Sequence, residues 1–245
     1  MAEVFAYGDG TVVKLDRPEW SGVSAFEAEV IGKVAAAGLP VARAHGVVTI
    51  DDRCGVVLDW IQGEQLFLHL MEGGLPAVAP LSERFADLQM LINATTIEGL
   101  PDLVPRLTAE LAASGLAPEL IVELTGLLGE LNGDRHQVCH YDFHPLNVLV
   151  GPTEWVVIDW LAVANGPPMA DLARTLVLWG QTTDPVLVEF MHQARQRGLG
   201  LRGADNELCD AWVRVVAGAR TLEGLGGAEQ EWLRRVAEGA VRLFA

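Results

Sequence analysis

Residues 138–160, VCHYDFHPLNVLVGPTEWVVIDW, constrain this chain more than any other stretch. Polar side chains crowd around two short apolar runs, Asn147 to Val150 and Trp155 to Ile158, which flank a Gly151-Pro152 turn. Short β-branched and aromatic runs on either side of such a turn predict a hairpin. That hairpin would bring Asn147 and Asp159 together at one end, as two oxygen ligands suited to magnesium. Asp142, five residues before Asn147, would stand alongside, placed to accept a proton. A structural account also exists, because Asp commonly caps turns and ends strands. Three specific polar residues in this order and spacing favour chemistry.

The rest of the chain reads as a small sheet followed by helices. Val4 to Tyr7 and Thr11 to Leu15 flank Gly8-Asp9-Gly10 and predict a second hairpin, with Lys14 in its later strand. Lys14 and Lys33 are the only lysines, so one inside an apolar strand needs a reason. A loop is expected at 18–22. A helix from Ser24 to Ala37 is stopped by Gly38-Leu39-Pro40, with Phe26, Val30 and Val34 on one face and Glu27 beside it. Strands are expected at Ala44 to Ile50 and Gly55 to Trp60, around Asp51-Asp52-Arg53, and Gly63 closes the strand-rich part. From Leu66 to Leu131 the pattern is helical, with breaks near Pro76, Pro80, Gly99-Leu100-Pro101 and Gly115. Helices resume at Met169. The expected class is α+β.

Half of the 245 residues are hydrophobic, enough to bury a real core. No apolar run approaches the roughly 18 residues of a spanning helix, and the first residues lack a signal-like core, so a cytoplasmic protein without a membrane partner is expected. A formal charge of −16 argues against nucleic acid, whose phosphates need clustered Lys and Arg. It suits a cationic ligand, although acidic surplus also serves solubility. Cys54, Cys139 and Cys209 lack the paired spacings of zinc sites and disulfide frameworks. His140 and His144, with Asp142 and Cys139, could ligate zinc, but Pro145 would break a helix placing both imidazoles on one face.

The run from His140 through Asp142 to Asn147, followed by Asp159 after a hairpin, resembles a kinase catalytic loop. HYDFHPLN, VVIDW and NGPPMADLART together resemble the aminoglycoside phosphotransferase family, over nearly the whole chain. That resemblance implies a protein-kinase-like two-lobe fold, with a nucleotide-binding lobe at 1–62 and a catalytic and substrate-binding helical lobe at 63–245. It makes Asp142 the catalytic base, His140 a support for the loop, and Asn147 and Asp159 the magnesium ligands. Asp171 would steady the loop from the next helix. Lys14 would hold the ATP phosphates with Glu27 as its helix partner, Glu29 being the competitor. Leu58, Asp59 and Trp60 would form the hinge that meets adenine.

Tyr141 and Leu146 stand where the family commonly has glycine, which makes the loop bulkier. Met1 falls where the family enters its second strand, so the first strand and its glycine-rich loop are expected to be lacking and ATP to be held more weakly. The implied activity is transfer of the γ-phosphate of ATP, with Mg2+, to a hydroxyl of a small molecule such as a cationic antibiotic or amine. The alternatives are a catalytically weak pseudokinase that binds a ligand or protein, and a kinase of a peptide hydroxyl in natural-product assembly.

Overall fold

The protein is described by a computed structural model covering residues 3–17, 22–131, 133 and 136–244. The loop expected at 18–22 falls outside these residues except for Gly22. The elements run β1 (Glu3–Gly8), β2 (Thr11–Leu15), α1 (Val23–Ala36), β3 (Ala44–Ile50), β4 (Arg53–Asp59) and β5 (Glu64–Gln65), then α2 (Leu66–Gly73), α3 (Leu75–Asn93), α4 (Leu103–Ala113) and α5 (Pro118–Leu131). After β6 (Gln137–Cys139) come the hairpin strands β7 (Val148–Val150) and β8 (Trp155–Val157) and the short β9 (Ala164–Gly166). Helices α6 (Pro168–Trp179), α7 (Pro185–Arg202), α8 (Asn206–Arg220) and α9 (Gly227–Ala237) complete the chain. It forms two compact units, Met1–His69 with His144–Val163, and Leu70–Phe143 with Ala164–Ala245.

The first unit is built on an antiparallel sheet ordered β1-β2-β4-β3. The two-residue alternation of β2 buries Val13 and Leu15 against Val57, with Val48 and Ile50 packed alongside, and so turns Lys14 to the opposite face. Asp16 accepts hydrogen bonds from the backbone N–H of Gly22 (3.0 Å) and Ser24 (3.3 Å) and from the Ser24 hydroxyl (2.6 Å). A carboxylate there satisfies open amides at the start of α1 and complements its dipole.

The buried face of α1 is Ser24, Glu27, Val30, Ile31 and Val34. Phe26 lies outside it, 38% exposed. Steps of four residues drift by about 40° each, so the row through Phe26, Val30 and Val34 reaches the interior only at its later members.

The predicted hairpin forms as β7 and β8, with Val148 opposite Val157 and Val150 opposite Trp155. It belongs to the first unit despite its distance in sequence. The Val157 amide donates to the Pro40 carbonyl (2.9 Å), and Val41 bridges Val157 in parallel. On its other side, β5 pairs with β7. Gly63 permits this approach, since a Cβ there would lie 2.6 Å from the Val150 carbonyl oxygen.

In the second unit α3 to α9 enclose a core that includes Leu103, Leu107, Leu124 and Val216. Pro76 opens α3, and Pro80 is carried inside it at the loss of one intrahelical hydrogen bond. The interruption comes instead at Gly74, with φ 60°. β6 and β9 pair antiparallel. At three residues each they are too short to carry a periodic signal. No helix among the described residues is long and apolar enough to cross a membrane.

Gly55, opposite Leu15 in the sheet, offers a test of how tightly β2 is held. An added Cβ would lie 2.6 Å from Leu15 Cδ2 and 3.0 Å from the Lys14 carbonyl oxygen. Gly55→Ala should therefore lower the unfolding free energy by about 1–3 kcal/mol, read as a lower denaturant midpoint at unchanged slope.

Candidate active site

Lys14 and the helix α1 carboxylate meet as the alternation of β2 dictates. The Lys14 ammonium donates to Glu27 Oε1 at 2.6 Å and to Asp159 Oδ1 at 3.1 Å. Burial alone would push the lysine down, but the two carboxylates outweigh it and its pKa lies above the ordinary 10.5. The ammonium is therefore charged throughout the neutral range. Burial pushes Glu27 up, against the pull of Lys14. Glu29 instead pairs with Lys33 on the helix surface.

Asp159 follows β8 in the left-handed region, φ 63°, with its carboxylate 41% exposed. The Ile158 amide donates to the Asn147 carbonyl at 3.0 Å, which extends the hairpin ladder and brings Asn147 beside the segment carrying Asp159. Asn147 turns its amide nitrogen toward His144 Nε2, at 3.3 Å. Gln65, which the sequence did not single out, donates to the Leu146 carbonyl (3.0 Å) and pins this turn to β5. Asn147 and Asp159 offer hard oxygen donors, a set that fits magnesium.

Lys14, Glu27, Gln65 and Asp159 border a cavity of about 480 Å³ within the first unit, whose apolar walls include Val12, Ile31, Ala42, Leu58 and Ile158. Asp59, Trp60 and Ile61 line it as well. Asp59 is opposite Thr11 in the sheet, three residues along β2 from Lys14, or about 10 Å. Two backbone amides of this segment are engaged by the protein itself, Asp59 N–H by the Arg43 carbonyl (3.0 Å) and Trp60 N–H by that of Gly10 (2.8 Å). The Asp59 carboxylate holds the Arg43 amide (3.1 Å) and His45 Nε2 (2.6 Å).

The loop carrying Asp142 lies in the second unit and is fixed from its backbone. The Tyr141 amide donates to Asp171 Oδ1 at 2.7 Å, and the Thr175 hydroxyl donates to the Phe143 carbonyl at 2.7 Å. Asp171 and Thr175 are one turn apart on α6, so a single helix face holds the loop on both sides of Asp142. His140 is fully buried and accepts the Asp142 amide on Nδ1 at 3.2 Å.

Tyr141 adopts φ 62°, the left-handed region that glycine tolerates best. The guanidinium groups of Arg106 and Arg174 lie over its ring, 5.0 and 5.2 Å from its centroid. Burial pushes its phenol well up, so the ring is neutral. Arg174 is itself held by Glu223 at 2.6 Å.

The histidines near Asp142 do not assemble a zinc centre. Among the described residues no group of three or more His, Cys, Asp and Glu side chains could hold a metal ion. The Cys139 thiol points instead at the Pro167 carbonyl, 3.5 Å away. Trp155 and Trp160 are core residues.

The family model described as Phosphotransferase enzyme family (APH) matches residues 3–212. The chain belongs to this family. No curated protein matches the sequence. Among solved structures, a thermostable mutant of aminoglycoside phosphotransferase APH(4)-Ia in its apo form superposes with a TM-score of 0.64 at 17% identity, covering 99% of this chain and 96% of that one. Amicoumacin kinase hAmiN, in complex with AMP-PNP, Ca2+ and Ami, gives 0.59 at 14% identity over 96% of this chain and 83% of that one. Aminoglycoside phosphotransferase APH(3'')-Id from Streptomyces rimosus ATCC10970, in complex with ADP and streptomycin, gives 0.59 at 17% identity over 89% of each chain. The fold is α+β of the protein-kinase-like kind.

Two opposing effects meet at Tyr141. Glycine there would relieve about 1 kcal/mol of backbone strain, but loss of a buried aromatic ring costs about 3–5 kcal/mol. Tyr141→Gly should thus destabilise the protein by about 2–4 kcal/mol, measured by chemical denaturation, even though it restores the residue common in the family.

Proposed function

We propose that this chain transfers the γ-phosphate of ATP, with magnesium, to a hydroxyl of a small molecule. The observation that carries this reading is the Lys14–Glu27–Asp159 cluster, which sets one half-buried cation between two carboxylates beside an apolar cavity. Family membership and the nucleotide complexes among the similar structures support it.

In this reading residues 1–62 are the nucleotide lobe and 63–245 the catalytic and substrate lobe. The apolar walls take the base. The Asp59 and Trp60 amides are already engaged, so the segment Leu58-Asp59-Trp60 meets adenine through a carbonyl, with the amide of Ile61 as the next donor. Lys14 holds phosphate oxygens while Glu27 keeps its ammonium in place. Asn147 and Asp159 would hold the magnesium ion, which supplies charge neutralisation on the phosphates. Asp142 accepts the proton of the acceptor hydroxyl, with His140 fixing its backbone. Phosphoryl transfer asks little more than such positioning and charge neutralisation.

The acceptor class follows from charge. From Ile61 onward the chain carries about twice as many Asp and Glu as Arg, and a negative field draws cations over about 8–10 Å. A cationic amine or aminoglycoside-like antibiotic is therefore the proposed acceptor. ATP consumption across hydroxylated amines, sugars, antibiotics and peptides tests the choice. KM for the best acceptor should rise with ionic strength, whereas a neutral acceptor whose turnover ignores salt would refute the cationic assignment.

Asp142→Asn should lower kcat by about 10²–10⁴-fold with Mg-ATP affinity nearly unchanged, because the base acts on the acceptor and not on the nucleotide. Asp159→Ala and Asn147→Ala should each abolish the magnesium dependence of nucleotide binding in calorimetric titrations. Near-normal turnover in Asp142→Asn would remove that residue from the role of base. A chain that binds Mg-ATP yet phosphorylates nothing in the panel would be a ligand-binding module instead.

A further inference from the structure

We propose that Arg202, at the end of α7, is a positioning residue for the catalytic loop and acts through the side-chain amides of Gln89 and Asn93 on Asp171. Its effect on turnover rests on the phosphotransferase reading above; its effect on the loop does not.

Asp171 is fully buried. One of its oxygens takes the Tyr141 amide, and the other takes Asn93 Nδ2 at 2.9 Å and Gln89 Nε2 at 3.3 Å. The oxygens of those same two amides face the Arg202 guanidinium, whose Nη2 donates to Asn93 Oδ1 and, at 3.4 Å, to Gln89 Oε1. Both carboxamides are thus oriented between a cation and an anion. Each donates toward the carboxylate and accepts from the guanidinium, so their dipoles add to the attraction across one layer of side chains. Arg202 Nη1 is anchored to the Gly198 carbonyl at 3.0 Å, which fixes the guanidinium on its own helix.

The network reaches the loop at two points. Asp171 holds the Tyr141 amide, and Gln89 Nε2 also donates to Thr175 Oγ1 at 3.0 Å, whose hydroxyl proton goes to the Phe143 carbonyl. Those two loop residues flank Asp142. A cation across the layer of amides polarises them toward the carboxylate and strengthens the hydrogen bonds that fix it in place beneath the Tyr141 amide. Arg202 supplies that cation from α7, while α3 contributes only neutral amides. The other titratable groups facing this charge are the thiols of Cys139 on β6 and Cys209 on α8. Burial and then Asp171 push Cys139 up, and burial pushes Cys209 up, so both stay neutral. Burial also pulls Arg202 down against the attraction of Asp171.

The test uses the full chain with Arg202→Leu, Arg202→Lys and Asn93→Leu, following single-residue amide exchange and kinetics. In Arg202→Leu the Tyr141 amide should exchange at least about tenfold faster while the core amides of α6 keep their protection. kcat should fall by about 10–100-fold with KM for Mg-ATP within about twofold of the parent. Arg202→Lys, which keeps the charge, should recover part of each effect. Arg202→Leu and Asn93→Leu combined should cost less than the sum of the two, as members of one network do. Unchanged Tyr141 exchange in a folded Arg202→Leu, or a uniform loss of protection throughout the second unit, would overturn the proposal. If that variant does not fold, native exchange and turnover in Arg202→Lys together with Asn93→Leu would overturn it. A parent chain without phosphotransfer refutes the functional reading alone, and amide exchange still decides whether Arg202 holds the loop.

Discussion

One ammonium between two carboxylates organises the first unit. Lys14 meets Glu27 and Asp159, residues 13 and 145 positions away in the chain, and thereby ties the sheet, its helix and the late hairpin together. Drawing a charge partly out of water costs free energy that its close partners return only in part. Such a cluster is weak as a source of stability and effective as a constraint on geometry. It fixes where β2, α1 and β8 must meet, and it leaves charged groups at the mouth of an apolar cavity. That combination of apolar walls with a few convergent polar groups is what small ligands bind.

The second unit solves a different problem with the same physics. Its loop at 140–143 must hold a carboxylate steady without regular secondary structure. The backbone on both sides of Asp142 is hydrogen-bonded to one face of α6, and the guanidinium groups of two arginines pack over the Tyr141 ring. A left-handed tyrosine survives there because aromatic burial exceeds the backbone strain. The loop is thus held by packing where glycine would have supplied only conformational tolerance.

Much of this was legible in the sequence, where local signals were strong. The late hairpin announced itself through its turn and its apolar runs, and Lys14 through the scarcity of lysine. Glu27 rather than Glu29 faces Lys14, as the family resemblance implies. What could not be read depended on contacts between distant residues. Gln89, Asn93 and Arg202 look like ordinary polar positions on helices, and nothing local tells that they meet inside the second unit. The engagement of the Asp59 and Trp60 amides depends on sheet register, and the register follows only once β4 is paired with β3 on one side and β2 on the other. Phe26 missed the core because a row of four-residue steps is not the row a helix buries.

Whether these residues move a phosphoryl group can be measured on the native chain. The most direct measurement is phosphorus NMR of the native chain incubated with ATP, magnesium and a hydroxylated cationic amine, following the γ-phosphate. A new phosphate monoester resonance on the acceptor is expected, growing as ADP accumulates and absent without magnesium. Loss of ATP only to inorganic phosphate, or no consumption of ATP with any hydroxylated acceptor, would contradict the phosphotransferase reading.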